Sequence, residues 1–293
     1  IAFLSIEDGV GGSVLVNGAQ FTGDNGRSGE FGHMCVEPGG LPCKCGRRGC
    51  LEAMCSPARL LRLYAQSGGS AETLSDFSRR LDAGDGGAWR ALDDCAGYLG
   101  VALGNLINLF NPERIVLMGD SAGGNLTAAV SLLARERGDF RPRTQILLYP
   151  LVYNDHSETT LFDSVRDNGE DYILTRQAIV DYIELYLRTA ADFHDSRFAP
   201  LIATSLADLP RTLVITAEYD PLRDEGEAFA ARLDAEGNEV ACFRMNDGVH
   251  GYFLYPSVLS LVRDTYRLIA HFLDGDPLPK PGDRPWLTLL GTD

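Results

Sequence analysis

Apolar residues recur along this chain in two rhythms. Through residues 89–109 they return every three or four positions, which predicts a long amphipathic helix stopped at Asn111-Pro112, since the residue before a proline is driven out of the helical region. Beyond it, short apolar runs of strand type at 115–118, 145–149, 213–216 and 240–244 alternate with helical spacing. The helical stretches begin at Asn125 (Leu126, Ala129, Val130, Leu133), cover 177–187 behind a Thr175 cap, and recur at 224–235 and 258–273. In the 177–187 stretch the stripe Ile179, Ile183, Tyr186, Leu187 reads as core. Strand alternating with helix is the pattern of a parallel α/β sheet.

The first hundred residues read differently. Residues 2–6 are strand-like, and 14–16, Asn17-Gly18 and 19–21 read as a hairpin with a type I′ turn. Ser56 caps a helix with Pro57 at its first position, covering 58–65; Gly68-Gly69-Ser70 breaks it, and a second helix follows at 72–81. Residues 154–171 are polar and irregular, and the Pro- and Gly-rich stretch after Gly275 reads as a loose tail.

Gly119-Asp120-Ser121-Ala122-Gly123 sits between a strand-type run and a helical one. G-x-S-x-G in that context is a nucleophile elbow, in which a tight turn lifts a serine hydroxyl off the sheet and the helix start behind it offers N–H groups to an oxyanion. As a bare five-residue pattern it equally fits a glycine-rich turn. A base and a residue to orient it follow in hydrolase order, each past the end of a strand: Asp220 in Asp-Pro-Leu-Arg-Asp-Glu-Gly and His250 in His-Gly-Tyr-Phe. His156 and His194 lie in polar loops and His271 within a helix, where structural roles at or near the surface are expected. The blocks Gly-Asp-Ser-Ala-Gly-Gly-Asn-Leu, Asp-Pro-Leu-Arg-Asp-Glu-Gly and His-Gly-Tyr-Phe resemble the hormone-sensitive-lipase group of carboxylesterases over roughly 114–273. That resemblance implies Ser121 as nucleophile, Asp220 as orienter, His250 as base and the amide of Ala122 as an oxyanion donor. It also implies a His-Gly-Gly-Gly loop that this chain does not carry, and hence weak turnover.

Three of seven cysteines and a histidine suggest a separate chemistry. His33 precedes Cys43-Lys-Cys45-Gly-Arg-Arg-Gly-Cys50, so an imidazole and three thiolates are spaced to close on one ion, and zinc suits an N/S₃ set. A reduced cluster without metal, or disulfides, are the alternatives. Cys35, Cys55, Cys95 and Cys242 read as buried thiols. Gly29-Glu30-Phe-Gly-His33, the cysteine run and Glu52 followed by Ser56 resemble the ROK group of sugar kinases and sugar-responsive repressors over roughly 1–118. The resemblance implies structural zinc on His33, Cys43, Cys45 and Cys50, and sugar hydroxyls held by Glu30, His33 and Glu52. The family's second phosphate loop reads Glu7-Asp8-Gly9-Val10-Gly11-Gly12-Ser13, and two carboxylates there repel a nucleotide phosphate. The family's catalytic aspartate and first phosphate loop would lie upstream of Ile1, so the resemblance is to a repressor-type member rather than a kinase.

Composition narrows the classes. With 293 residues, 45% of them hydrophobic, the chain suits one large or two ordinary domains. A net charge of −15 argues against a nucleic-acid partner. No apolar run reaches the roughly 20 residues of a membrane helix, and Ile1-Ala-Phe-Leu-Ser-Ile6 lacks a basic signal-peptide start, so a cytoplasmic protein is expected. A start within a strand and without methionine reads as truncated.

Together these features predict an α/β chimera joined between Asn111 and Ser121: a ROK-like part (1–118), a hydrolase-like part (119–275) and a tail (276–293). The expected fold is a mixed, largely parallel sheet with flanking helices, an N-terminal hairpin and a zinc loop. One sheet should span the seam, with 2–6 parallel to 115–118 and the latter parallel to 146–149, because an uncovered apolar edge invites aggregation. Residues 8–12 would then emerge beside Ser121, with Gly11 and Gly12 offering amides as substitute oxyanion donors against the opposing charge of Glu7 and Asp8. The expected function is a serine carboxylesterase for small acyl esters, needing no cofactor for hydrolysis. The rivals are a zinc-stabilised sugar-binding module and an inactive fusion, and self-association is left open.

Overall fold

The apolar runs of the second half all become strands. The computed structural model describes residues 2–6, 10–16, 19–25, 28–112, 115–138, 140–187, 189–256, 259–279 and 287–289. It divides into two compact units, Ile1–Glu113 and Arg114–Asp293.

In the second unit, β4 (Val116–Asp120), β5 (Thr144–Leu148), β6 (Arg211–Tyr219) and β7 (Val240–Val249) lie side by side and parallel in that order. All five residues of β5 are buried, which is why its sequence reads as a continuous rather than an alternating apolar run. Neighbouring side chains of β5 still part to opposite faces. Ile146 and Leu148 join a core under α9 (Ser260–Asp274) with Val262, Leu268 and Phe272. Leu147 joins the other core, with Leu132 of α5 (Ala122–Arg137) and Phe229 and Leu233 of α8 (Arg223–Ala235). Two short helices, α6 (Asp163–Asp167) and α7 (Arg176–Tyr186), lie between β5 and β6 in the chain. Ile179 and Ile183 of α7 are buried as the stripe predicted, whereas Tyr186 is exposed.

The first unit pairs β1 (Ala2–Ile6), β2 (Val10–Val16) and β3 (Ala19–Gln20) in an antiparallel sheet. Four helices follow: α1 (Leu51–Cys55), α2 (Pro57–Gln66), α3 (Leu74–Asp82) and α4 (Gly86–Phe110). Ser56 caps α2 by accepting the Arg59 N–H, and α4 stops at Asn111 in the left-handed conformation, φ 41°, just before Pro112. One core gathers Val10, Val36, Leu51, Met54 and Ala102, and a second gathers Tyr64, Phe77, Ala88 and Ala91.

Three expectations are corrected. The strands form two sheets, not one across the seam: β1 runs antiparallel to β2, from Ala2 opposite Val14 to Ile6 opposite Val10, while β4 begins the other sheet. A hairpin closes a far shorter loop than a pairing across a hundred residues, and so costs less chain entropy. Gly11 and Gly12 are strand residues opposite Ser5 and Leu4. Successive amides of a strand point to opposite sides, so these two cannot converge on one anion as a turn would allow. The stretch after Gly275 is not wholly a tail, for β8 (Leu287–Leu289) adds antiparallel to β7. The Glu7-Asp8-Gly9 part of the phosphate-loop reading and the Asn17-Gly18 turn fall outside the described residues. Among the described residues no helix is long and apolar enough to cross a membrane.

Candidate functional site

Parallel strands deliver their C-terminal ends to one edge of a sheet, and there the chain places Ser121 after β4, Asp220 after β6 and His250 after β7. Ser121 has φ 51° and ψ −119°, a region that non-glycine residues seldom occupy. The strain is held by hydrogen bonds on both sides, from the Ser121 N–H to the Leu148 carbonyl (2.9 Å) and from the Asn125 N–H to the Ser121 carbonyl (3.1 Å). Gly119 is obligatory, because a Cβ there would sit 2.1 Å from the Gly123 carbonyl oxygen.

His250 joins the other two. Its Nδ1 lies 2.7 Å from Asp220 Oδ2 and its Nε2 lies 2.9 Å from Ser121 Oγ. An ionised carboxylate can only accept, so Nδ1 carries the proton, Nε2 is the lone-pair nitrogen, and the serine hydroxyl donates to it. Asp220 is fully buried; its Oδ1 accepts the Leu222 N–H at 2.8 Å, so both carboxylate oxygens are engaged. A register shift between Ala217 and Tyr219 and the left-handed turn at Asp247, φ 60°, offset the ends of β6 and β7 near these residues. The Ala122 N–H opens α5, where the positive end of the helix dipole lies.

Several supporting residues escaped sequence reasoning. Asn125, buried, donates to the carbonyls of Leu151 (2.9 Å) and Phe198 (2.7 Å), tying the elbow helix to two loops. Glu225 is fully buried and accepts from Val152 N–H (2.6 Å) and Tyr153 N–H (3.0 Å), with His156 Nε2 at 2.6 Å. His156 is therefore a core residue, not the surface group its polar loop suggested; only the pairing with Glu225, 69 positions away, makes its burial affordable. His194 stacks edge-on against Phe193, and His271 is exposed on α9, its Nδ1 3.2 Å from the Pro277 carbonyl.

In the first unit, ligand atoms of His33, Cys43, Cys45 and Cys50 all lie within 4.8 Å of one another. His33 Nδ1 is 3.5 Å from Cys43 Sγ, and Cys45 and Cys50 sulfurs are 3.6 Å apart. A tetrahedral ion with Zn–S bonds of about 2.3 Å would set its sulfurs about 3.8 Å apart, so the donor set fits zinc. The Arg47 amide and guanidinium hold the Cys45 thiol down to about 6, and burial pushes Cys50 up to about 12. Cys95 and Cys242 are buried as expected and Cys55 is half-buried, but Cys35 is exposed, its thiol directed at the Arg48 carbonyl. Glu30 is exposed ahead of the 3₁₀ turn Phe31–His33. Glu52, in the first turn of α1, accepts the Val10 N–H at 3.5 Å and lies 3.5 Å from Lys44 Nζ.

Comparison with known proteins divides the chain in the same way. Residues 1–135 match the model of the ROK family and residues 90–254 match the model of the α/β hydrolase fold. The overlap, 90–135, brackets the seam expected between Asn111 and Ser121. An arylesterase of Saccharolobus solfataricus is 40% identical over 164 residues, covering 56% of this chain and 49% of the relative. A glucokinase of Halalkalibacterium halodurans is 38% identical over 133 residues, covering 40% of each. A thermostable carboxylesterase cloned from a metagenomic library superposes with a TM-score of 0.53 at 34% identity, over 60% of this chain and 62% of that one. The chain thus spans half or less of the length of these two curated relatives and joins a ROK-type segment to a hydrolase-type one. Because the hydrolase match covers more than half of its residues, the chain belongs to the α/β hydrolase fold family.

Proposed function

We propose that this protein is a serine carboxylesterase acting on small acyl esters through an acyl-enzyme at Ser121. The observation that carries the reading is the unbroken relay from Asp220 through His250 to a serine lifted out of the sheet at φ 51°. His250 Nε2 takes the hydroxyl proton as Ser121 Oγ bonds to the ester carbonyl carbon, and the carbonyl oxygen, now an anion, turns to the Ala122 N–H. The imidazolium then protonates the departing alkoxide. Water repeats the sequence on the acyl-serine, giving its proton to Nε2 and releasing the carboxylic acid, while Asp220 keeps the ring in the productive tautomer throughout.

Turnover is expected to be slow. The stretch ahead of the elbow is of the ROK type, whereas the hydrolase resemblance places a loop of further oxyanion donors there, and each such donor is worth roughly 10² to 10³ in rate. A fluorophosphonate probe and p-nitrophenyl acetate test the reading. Labelling and hydrolysis should both vanish in Ser121→Ala; labelling that survives this change, or a wild-type protein inert to both reagents, sinks it.

For the first unit we propose a structural zinc ion on His33, Cys43, Cys45 and Cys50, supported by the match of donor spacing to a tetrahedral site. A sugar site beside it is the second reading. With Nδ1 of His33 turned to Cys43, Nε2 on the other side of the ring is the nitrogen left to meet a hydroxyl. Calorimetry with hexoses and N-acetylated amino sugars tests it: heat lost in Glu30→Ala supports it, and no heat with any sugar removes it.

A further inference from the structure

Two hydrogen bonds hold the imidazole of His250, one at each nitrogen. Such a pair defines an axis and leaves the ring free to roll about it. Rolling would swing the Nε2 lone pair away from the serine proton, since hydrogen bonds weaken steeply with misalignment. Something must press on the face or edge of the ring to fix its tilt.

Tyr149 is placed to do so. It follows β5 directly, is fully buried, and its ring centroid lies 5.0 Å from that of His250 at 63° between planes, an edge-to-face contact. It is itself wedged edge-on against Tyr252, 5.5 Å away, whose hydroxyl is 2.7 Å from that of Thr265 inside the core. The phenol oxygen is 3.4 Å from Asp120 Oδ2, on the residue next to the nucleophile. Burial, and then the nearby Asp120 charge, push the phenol up, so it stays protonated and donates. The backbone is unusual as well. Tyr149 has φ 34° although it precedes Pro150, a combination disfavoured twice over, and it is held by a 2.6 Å hydrogen bond from its N–H to the Ile215 carbonyl. Strain of this kind survives where surrounding structure over-determines it, and such places cluster at functional sites.

We infer that Tyr149 is a positioning residue for the hydrolytic reaction: its ring, wedged against Tyr252, sets the tilt of the His250 imidazole. The inference rests on the esterase reading for its kinetic consequence but not for its geometry. Tyr149→Leu should lower kcat for p-nitrophenyl acetate, and the rate of fluorophosphonate labelling, by about tenfold to a hundredfold with KM within about twofold. Tyr149→Phe, which keeps the ring, should stay within about threefold of wild type. A leucine variant as fast as wild type overturns the inference, as does equal loss in both variants, which would move the role from ring to hydroxyl. NMR of the wild-type protein supplies an arm independent of turnover and of whether the leucine variant folds. Cross-relaxation should connect the Tyr149 ring protons to the carbon-bound ring protons of His250, identified by their loss in His250→Ala. A missing connection overturns the inference; a present one in a protein with no hydrolysis means that the esterase reading alone has failed.

Discussion

The carboxylate of Asp220 meets Nδ1 of His250 at 2.7 Å while its second oxygen accepts the Leu222 N–H at 2.8 Å. An asparagine here can keep the second contact, but as an acceptor-donor amide it no longer compels Nδ1 to hold the proton. Asp220→Asn is therefore expected to preserve the fold and cost about 10⁴ in kcat, the scale of a wrong imidazole tautomer. Circular dichroism should be unchanged, and hydrolysis close to wild type would refute the role given to Asp220.

The glycines of the elbow differ in what they protect. A Cβ on Gly124 would lie 2.8 Å from Pro150 Cβ and 3.1 Å from its Cα, both stiff neighbours, whereas on Gly123 it would meet only Asp120 Oδ1 at 3.8 Å. Gly124→Ala should destabilise the protein by about 1–3 kcal/mol through overpacking, and Gly123→Ala hardly at all. Denaturant midpoints decide, and the order reversed would refute the packing.

The elbow and its partners were legible because each sits in a short local block beyond a strand, and those blocks carry the family resemblance that implies their roles. Ordinary periodicity located the parallel strands. The division into two sheets was not legible, since 2–6 can extend either a hairpin or a parallel neighbour, and only the pairing Ala2 to Val14 decides. Nor was Glu225, whose partners Val152 and Tyr153 are 73 and 72 residues away. The offset of Tyr149 against His250 depends likewise on the sheet bringing two distant strand ends together. A carboxylate in a charged block and an aromatic before proline carry no long-range label.

Removing Glu225 should be among the most damaging single changes in the second unit. Its carboxylate is the acceptor for two backbone N–H groups and the partner of buried His156, so Glu225→Ala strands donors inside the protein. Each unpaired buried donor costs about 1–3 kcal/mol, giving a loss of several kcal/mol in all, with Glu225→Gln milder because one oxygen remains. A melting temperature for Glu225→Ala within about 2 °C of wild type would contradict the assignment.

Acid should loosen the loop held by Glu236. Its Oε2 accepts from the N–H groups of Leu206 and Ala207 (the latter at 3.1 Å) and from the Ser205 hydroxyl (2.9 Å). The Leu206 amide above all, helped by Ser205 and Arg232 against the opposing effect of burial, holds the carboxyl below its ordinary value of 4.5. A lowered value in the folded state means that the unfolded chain binds the proton first. The contribution is complete above about pH 4.5 and is lost as pH falls through the folded value. Glu236→Gln should accordingly cost stability at pH 7 and nothing once both forms are protonated, so the two stability curves converge toward acid. Parallel curves from pH 7 downward would refute the linkage.

His33, Cys43, Cys45 and Cys50 bring four donors within 4.8 Å across a stretch held by few buried apolar side chains, chiefly Val36, Leu51 and Met54. Three sulfurs so close gain little from one another, whereas one tetrahedral cation satisfies all four ligands and links the 3₁₀ turn at His33, the loop at Cys43 and Cys45, and the start of α1 beyond Cys50. Binding energy of this kind is folding energy, because the unfolded chain offers no preformed site. Protein purified with metal present should hold close to one equivalent of zinc. Chelation or Cys50→Ser should lower the melting temperature of the first unit by several degrees. The fluorophosphonate labelling rate supplies the control: Ser121, Asp220 and His250 all belong to the second unit, so metal removal should leave that rate unchanged under conditions where the second unit stays folded. Elemental analysis finding less than about a tenth of an equivalent after metal-replete purification would refute the site, however the protein melts.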